Sequence, residues 1–293
     1  MTDSVKVSVL SDYPCELGEG PSYDHRSDAL FWFDIVNRKL LEHKFASGET
    51  LVHDLPWMAS AIASVDDERQ LIVSENGFHL RDRKSGKLSL YLALDEEREN
   101  TRSNDARVHP SGAFWVSIMG KEDGAVKGSI HWMREGELRP LFDGILIPNS
   151  ICFSPDGSTA YFADTQAQKL WRVPCDSQTG LPRAEPQVFV DGKEADGGID
   201  GAVVGSDGTL WNARWGGSRI DAYSADGALI RSIAMPAAQI SCPAFIGRDA
   251  GKLAATSAWK GLDEEGRAKD RLAGQTFLLD LPVKGRLEPD VLI

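Results

Sequence analysis

The chain has 293 residues, 42% of them hydrophobic, which is enough to bury a sizeable core and excludes a disordered polymer. Its 32 basic and 44 acidic side chains leave a net charge of -12, so the basic surface that nucleic acid or an anionic membrane would need is lacking. No apolar run reaches the roughly 18 residues of a membrane span, and Cys15, Cys152, Cys175 and Cys242 are far apart with no Cys-x-x-Cys pair. Those features predict buried, inert thiols and a cytoplasmic protein.

From the N-terminus, Met1–Leu10 alternates like a strand and lacks the longer apolar stretch of a signal peptide. A repeat follows: a turn signal, then a short apolar strand. The strands are Phe31–Asp34, Leu71–Ser74, Phe114–Ser117, Tyr161–Asp164, Leu210–Ala213 and Leu253–Thr256. The hairpin around Ser154-Pro155-Asp156-Gly157 shows the unit most clearly, with Pro and Gly where a tight turn needs them. The repeats start about 40 to 50 residues apart, the period of a four-stranded propeller blade.

Further strands at Arg38–His43, Ser129–Met133, Lys169–Val173 and Arg219–Tyr223 fill the gaps. The expected fold is all-β, a six-bladed β-propeller of four-stranded antiparallel blades forming one domain over residues 1–293. The N-terminal strand is expected beside Gly274–Asp280, closing the ring and covering sheet edges. The charged pieces Asp95–Glu99 and Asp263–Gly266 read as solvated loops.

No Gly-x-Ser-x-Gly elbow, His-Glu-x-x-His or phosphate-binding loop is present, and the His residues are scattered singly. Polar residues do recur where inner strands begin. Glu19, Asn149 and Asp200 occupy equivalent places in three blades, and Asn104-Asp105 lies at a similar place in a fourth. Converging on the axis, the first three would offer oxygen ligands with two negative charges, which suits a hard divalent cation. Each also has a plainer reading, since Asn and Asp beside Gly are turn formers.

Taken together, Glu19-Gly-Pro21, Arg102-x-Asn104-Asp105, Asn149 followed by Ser-Pro-Asp-Gly, and Ile199-Asp-Gly201 resemble the senescence marker protein (regucalcin)/gluconolactonase family. Ser241–Phe245, Thr256–Ala258 and Ala273–Phe277 are similar to its bacterial sugar-acid lactonase members. The resemblance implies one divalent metal ion held by Glu19, Asn149 and Asp200, calcium foremost, with zinc, magnesium, manganese or iron as other occupants. It also implies substrate contacts from Arg102, Asn104 and Glu122, with Asp200 as catalytic acid/base. The implied substrate is a small sugar-acid lactone, an aldonolactone or aldarolactone, opened to the free acid.

Ser150 and Ile199 stand where many members have Gly and Pro; neither change removes an oxygen ligand. A cation that polarises the lactone carbonyl, with Asp200 taking the proton from water, forms a self-consistent mechanism. The other reading is a non-catalytic calcium-binding propeller serving interaction or metal buffering. Several placements stay open at this stage. Arg102 reads as a substrate clamp or a surface ion pair. Trp215 reads as a pocket wall or inter-blade packing, and Asp105 as a brace for its neighbours. A further cation at the pocket (Lys121 or Arg214) would favour a doubly charged aldarate-type substrate.

Overall fold

Short apolar strands joined by tight turns pair first with their neighbours in sequence, so the chain builds antiparallel meanders. The computed structural model describes residues 5–94, 100–122 and 126–293. Strand β1 covers Lys6–Ser11. The first blade holds β2 (Gly18–Asp24), β3 (Ala29–Asp34), β4 (Lys39–Lys44) and β5 (Glu49–Asp54). The second holds β6 (Ala59–Ser64), β7 (Arg69–Ser74), β8 (Gly77–Asp82) and β9 (Leu88–Ala93). The third holds β10 (Thr101–Val108), β11 (Phe114–Gly120), β12 (Gly128–Arg134) and β13 (Glu137–Ile145).

The fourth blade comprises β14 (Pro148–Phe153), β15 (Thr159–Asp164), β16 (Lys169–Pro174) and β17 (Gln187–Asp191). The fifth comprises β18 (Gly198–Val204), β19 (Leu210–Trp215), β20 (Arg219–Tyr223) and β21 (Leu229–Ala234). The sixth takes β22 (Ile240–Ile246), β23 (Lys252–Ser257) and β24 (Thr276–Asp280), then β1 as its outermost strand. These six antiparallel blades form the expected propeller.

Burial explains why one strand per blade was so legible. The second strand lies between two sheet neighbours and two blade neighbours, so β3 (Ala-Leu-Phe-Trp-Phe-Asp) is buried at every position. The outermost strands face water, and of β21 only Ile233 is buried. Among the described residues the core divides into six apolar clusters, one in each gap between blades. Phe31, Phe33 and Ile62 fill the gap between blades 1 and 2, and Trp115, Ile151 and Phe153 fill that between blades 3 and 4. All four cysteines are buried free thiols in or beside these seams.

Both chain ends hold the ring together. β1 pairs with β24 in the expected place, Val7 opposite Leu279 and Val9 opposite Phe277. After β24 the chain crosses the face where inner strands end, touching every blade. Val283 N–H donates to Gly251 O (3.2 Å), Ser206 N–H to Lys284 O (2.6 Å) and Arg286 to Phe153 O (3.2 Å). Leu292 N–H donates to Gly112 O (2.9 Å) and Val291 N–H to Ser64 O (2.8 Å). Arg26 grips Asp290 through two bonds of 2.9 and 2.8 Å. Beneath this strap Glu288 meets the buried Arg107 at 3.3 Å.

One expectation is corrected. Asp263–Gly266 is not a loop but the start of helix α1 (Glu264–Lys269). Asp263 caps it by accepting the Gly266 N–H at 2.8 Å, acidic residues fill its first turn, and Lys269 reaches back to Glu265 at 2.6 Å. Such short-range signals stabilise a single turn or two without the apolar periodicity that marks longer helices. The other charged piece, Asp95–Glu99, lies outside the described residues.

Candidate active site

Every inner strand carries one extra residue at the same height. The ladder slips between Glu19 and Ser22 in β2, Ala59 and Ala61 in β6, and Ser103 and Ala106 in β10. It slips again between Asn149 and Cys152 in β14, Ile199 and Ala202 in β18, and Ile240 and Pro243 in β22. A bulge bends its strand and redirects a side chain out of the pleat. Six of them at one level make a hub with polar groups turned toward the axis.

Glu19 and Asn149 are the last paired residues before their bulges; Asp200 sits one residue further along, inside its bulge. The three places are therefore near-equivalent rather than equivalent. In blades 1 and 4 the next residue, Gly20 or Ser150, adopts a left-handed backbone (φ 58° and 56°). A Cβ on Gly20 would lie 1.8 Å from Ser60 O, so only glycine fits there. Ser150 has room, and its hydroxyl donates to the Asp200 carbonyl while accepting from Asn212 Nδ2 at 3.1 Å. That bond ties blade 4 to the strand bearing Asp200, a task glycine could not perform.

Glu19, Asn149 and Asp200 are 8, 4 and 3% exposed and line one cavity of about 130 Å³ with Arg102 and Asn104. Five of the six sequence-nominated residues thus meet. Glu122 is exposed and is not among the residues lining this cavity; residues 123–125 beside it lie outside the described residues. Arg102 is buried rather than a surface group, and donates to Asn104 Oδ1 (2.6 Å) and Ser103 O (3.0 Å). Asn104 in turn donates to Asn149 Oδ1 and to Pro148 O, both at 2.9 Å. Asp105 faces away from the cavity lining and accepts the Ile151 N–H at 2.7 Å, bracing blade 3 against blade 4.

Three further lining groups escaped the sequence reading: Thr165, Lys260 and the apolar pair Leu17 and Ile147. Thr165 and Lys260 come just after the second strands of blades 4 and 6, outside the repeat phase that exposed the inner strands. Trp215 also lines the cavity, while its neighbour Arg214, on the opposite face of β19, is fully buried. Arg214 donates to Gly197 O at 2.9 Å and lies 3.7 Å from the Asp221 carboxylate. Lys121 pairs with Glu75 at 2.7 Å. The extra cation of the cavity is therefore Lys260, on the blade opposite Arg102, and neither Lys121 nor Arg214. A larger open groove of about 640 Å³ lies along turn residues such as Asp156 and holds none of these groups.

Electrostatics give the hub its character. Burial raises the Glu19 and Asp200 carboxyls above their ordinary range, and nearby carboxylates add to it: Asp105 for Glu19, then Glu19 and Asp105 for Asp200. Asp105 is pushed up to about 6, again chiefly by burial, with Arg107 opposing. Two buried carboxylates that repel each other, beside an amide oxygen, form an all-oxygen donor set suited to a hard cation. Among the described residues no group of three or more His, Cys, Asp or Glu side chains is placed to hold a metal ion; the third oxygen beside the Glu19 and Asp200 carboxyls belongs to the Asn149 amide.

Residues 17–259 match the family described as "SMP-30/Gluconolactonase/LRE-like region". The chain belongs to this family. A calcium-binding protein from Agrobacterium tumefaciens, regucalcin, has a crystal structure that superposes with a TM-score of 0.96 at 46% identity, covering 99% of this chain and 98% of that one. An L-arabinolactonase of Azospirillum brasilense is 34% identical over 93% of this chain and 91% of its own length. A pentonolactonase of Haloferax volcanii is 31% identical over 96% of this chain and 97% of its own.

Proposed function

We propose that this SMP-30/gluconolactonase family member is a divalent-cation-dependent hydrolase of sugar-acid lactones, with Glu19, Asn149 and Asp200 as the cation's ligands. The observation that carries the reading is the meeting of two raised carboxyls, an amide oxygen and the Arg102–Asn104 pair on one small cavity. Relatives named for lactone hydrolysis support it. A cation held there would draw electron density from the lactone carbonyl oxygen and offset the negative charge that develops on it.

The rest of the chemistry belongs to side chains. As water adds to the carbonyl carbon, Asp200 takes the proton that water sheds. It returns that proton to the ring oxygen as the ring C–O bond breaks, so a hydroxy acid leaves and the carboxylate is restored. Burial and the Glu19 and Asp105 carboxylates raise the proton affinity of Asp200, and a bound cation would lower it again. The balance of the two lets one carboxyl both take and return the proton. Arg102 and Lys260 approach from opposite blades and bind substrate oxygens, and Trp215, Leu17 and Ile147 exclude bulk water from one side. Asn104 has both amide N–H groups committed within the protein, so what it offers substrate is an acceptor lone pair. Glu122, exposed and absent from the cavity lining, belongs to the same proposal as a substrate contact.

The cavity is well below the 300–1,000 Å³ of drug-sized sites, which fits a small ligand. The names of the two relatives favour five-carbon aldonolactones as substrates. The test is a pH-stat panel of pentono-, hexono- and aldarolactones with added Ca²⁺, Mg²⁺, Mn²⁺ or Zn²⁺. The expected result is cation-dependent opening with the highest kcat/KM on a pentonolactone. A protein that binds a cation but opens none of them would support the buffering role, which the calcium-binding structural relative makes the second reading.

A further inference from the structure

Four hydrogen bonds run in series across blades 3, 4 and 5. Arg102 Nη1 donates to Asn104 Oδ1 (2.6 Å), and Asn104 Nδ2 to Asn149 Oδ1 (2.9 Å). Asn149 Nδ2 donates to Thr165 Oγ1 (2.8 Å), and Thr165 Oγ1 donates to Ile199 O (2.6 Å), the carbonyl just before Asp200. The sense of this series is forced from both ends. A guanidinium has no acceptor and a backbone carbonyl has no donor, so the chain cannot run backwards. Asn104 rotated by half a turn would set donor against donor at Arg102 and acceptor against acceptor at Asn149. Asn149 so rotated would set donor against donor at Asn104 and draw the Thr165 hydroxyl away from Ile199 O.

We propose that Thr165 is a positioning residue for the cation site. Its hydroxyl is the one group in the series free to choose between donating and accepting. By donating to the fixed Ile199 carbonyl it can only accept from Asn149, which holds the Asn149 amide with nitrogen toward Thr165 and oxygen toward Asn104. That oxygen has two lone pairs, one used by Asn104, and the second is the one a cation would take. The same hydroxyl couples the strand of Asn149 to the strand of Asp200. Outer groups that orient a ligand typically change metal affinity 10- to 100-fold when removed. This role rests on the reading of Asn149 as a cation ligand.

The test compares the full chain with Thr165→Val, which keeps the shape without the hydroxyl, and Thr165→Ser, which keeps the hydroxyl. Metal-free samples are titrated with Ca²⁺ alone and then Mn²⁺ alone by calorimetry, with thermal unfolding of the metal-free proteins as the check on folding. Thr165→Val is expected to weaken cation binding about 10- to 100-fold and Thr165→Ser by less than about threefold. Binding by Thr165→Val within about twofold of the unaltered chain would overturn the role. Equal losses in both variants would overturn it too, because packing rather than the hydroxyl would then be responsible. If Thr165→Val does not fold, Thr165→Ala takes its place in the same comparison. An unaltered chain that binds neither ion would overturn the cation site itself as well as this role, a result distinct from either.

Discussion

Asp200→Asn is expected to lower kcat for lactone opening by about 10²- to 10⁴-fold, even with cation raised until no further rate is gained. Asparagine keeps the volume and one oxygen at the hub, but it cannot take a proton from water at neutral pH. Asp200 is 3% exposed and lines the cavity beside Arg102, and a bound cation would offset the raised proton affinity that burial and the Glu19 and Asp105 carboxylates give it. Its backbone position is held by Ser150 and by Asn212, whose Nδ2 lies 2.9 Å from the Asp200 carbonyl, so the substitution leaves the strand in place. The measurement is initial rate by pH-stat, with spontaneous hydrolysis subtracted. A kcat within tenfold of the parent would remove Asp200 from the proton transfer.

The second large effect is on stability. In the metal-free protein Glu19 and Asp200 have raised pKa values, and Asp105 is raised to about 6. Unfolded carboxyls titrate near 4. Above about pH 4 the folded chain therefore holds more protons than the unfolded one, and stability from these groups is full below that pH and lost as pH rises through the folded values. Arg107, paired with Glu288 under the strap, opposes part of the loss for Glu19 and Asp105. A divalent cation replaces those protons, so its affinity and its stabilising effect grow with pH.

The difference in Tm between cation-saturated and chelator-treated protein is expected to be larger at pH 8 than at pH 5. At about 100 times the Kd the stabilisation reaches about 2.7 kcal/mol. Thermal unfolding at the two pH values measures it. Equal differences at both would mean that the raised carboxyls do not meet the cation.

The parts of the molecule that could be read from sequence are those where one physical demand dominates. Second strands such as β3 and β11 must be apolar on both faces, and each follows a turn whose residues have few substitutes, so both blade number and phase were visible. Phase then pointed to Glu19, Asn149 and Asp200. The bulges were not visible, because an extra residue leaves no compositional trace beyond Gly20 and Gly201, and blade 4 uses Ser150 instead.

Thr165 and Lys260 were missed because they belong to the connections that follow a strand, where a polar residue is ordinary. Arg214 was nominated beside Trp215 on sequence proximity, yet strand alternation sends it to the buried face with Asp221. The strap after β24 has no periodicity at all; its order comes from backbone hydrogen bonds to blades 2, 3, 5 and 6 and from the side chains of Arg286, Arg26 and Arg107. The helix at Glu264 is too short for an apolar stripe and is set by its cap.

The most direct measurement is a calorimetric titration of chelator-treated protein with a divalent cation, following lactone opening in the same samples. One equivalent bound, with hydrolysis returning in proportion to the occupied fraction, is the expected result. Full hydrolysis by the chelator-treated protein, or no binding by a folded chain, would contradict a cation held by Glu19, Asn149 and Asp200 as the centre of the chemistry.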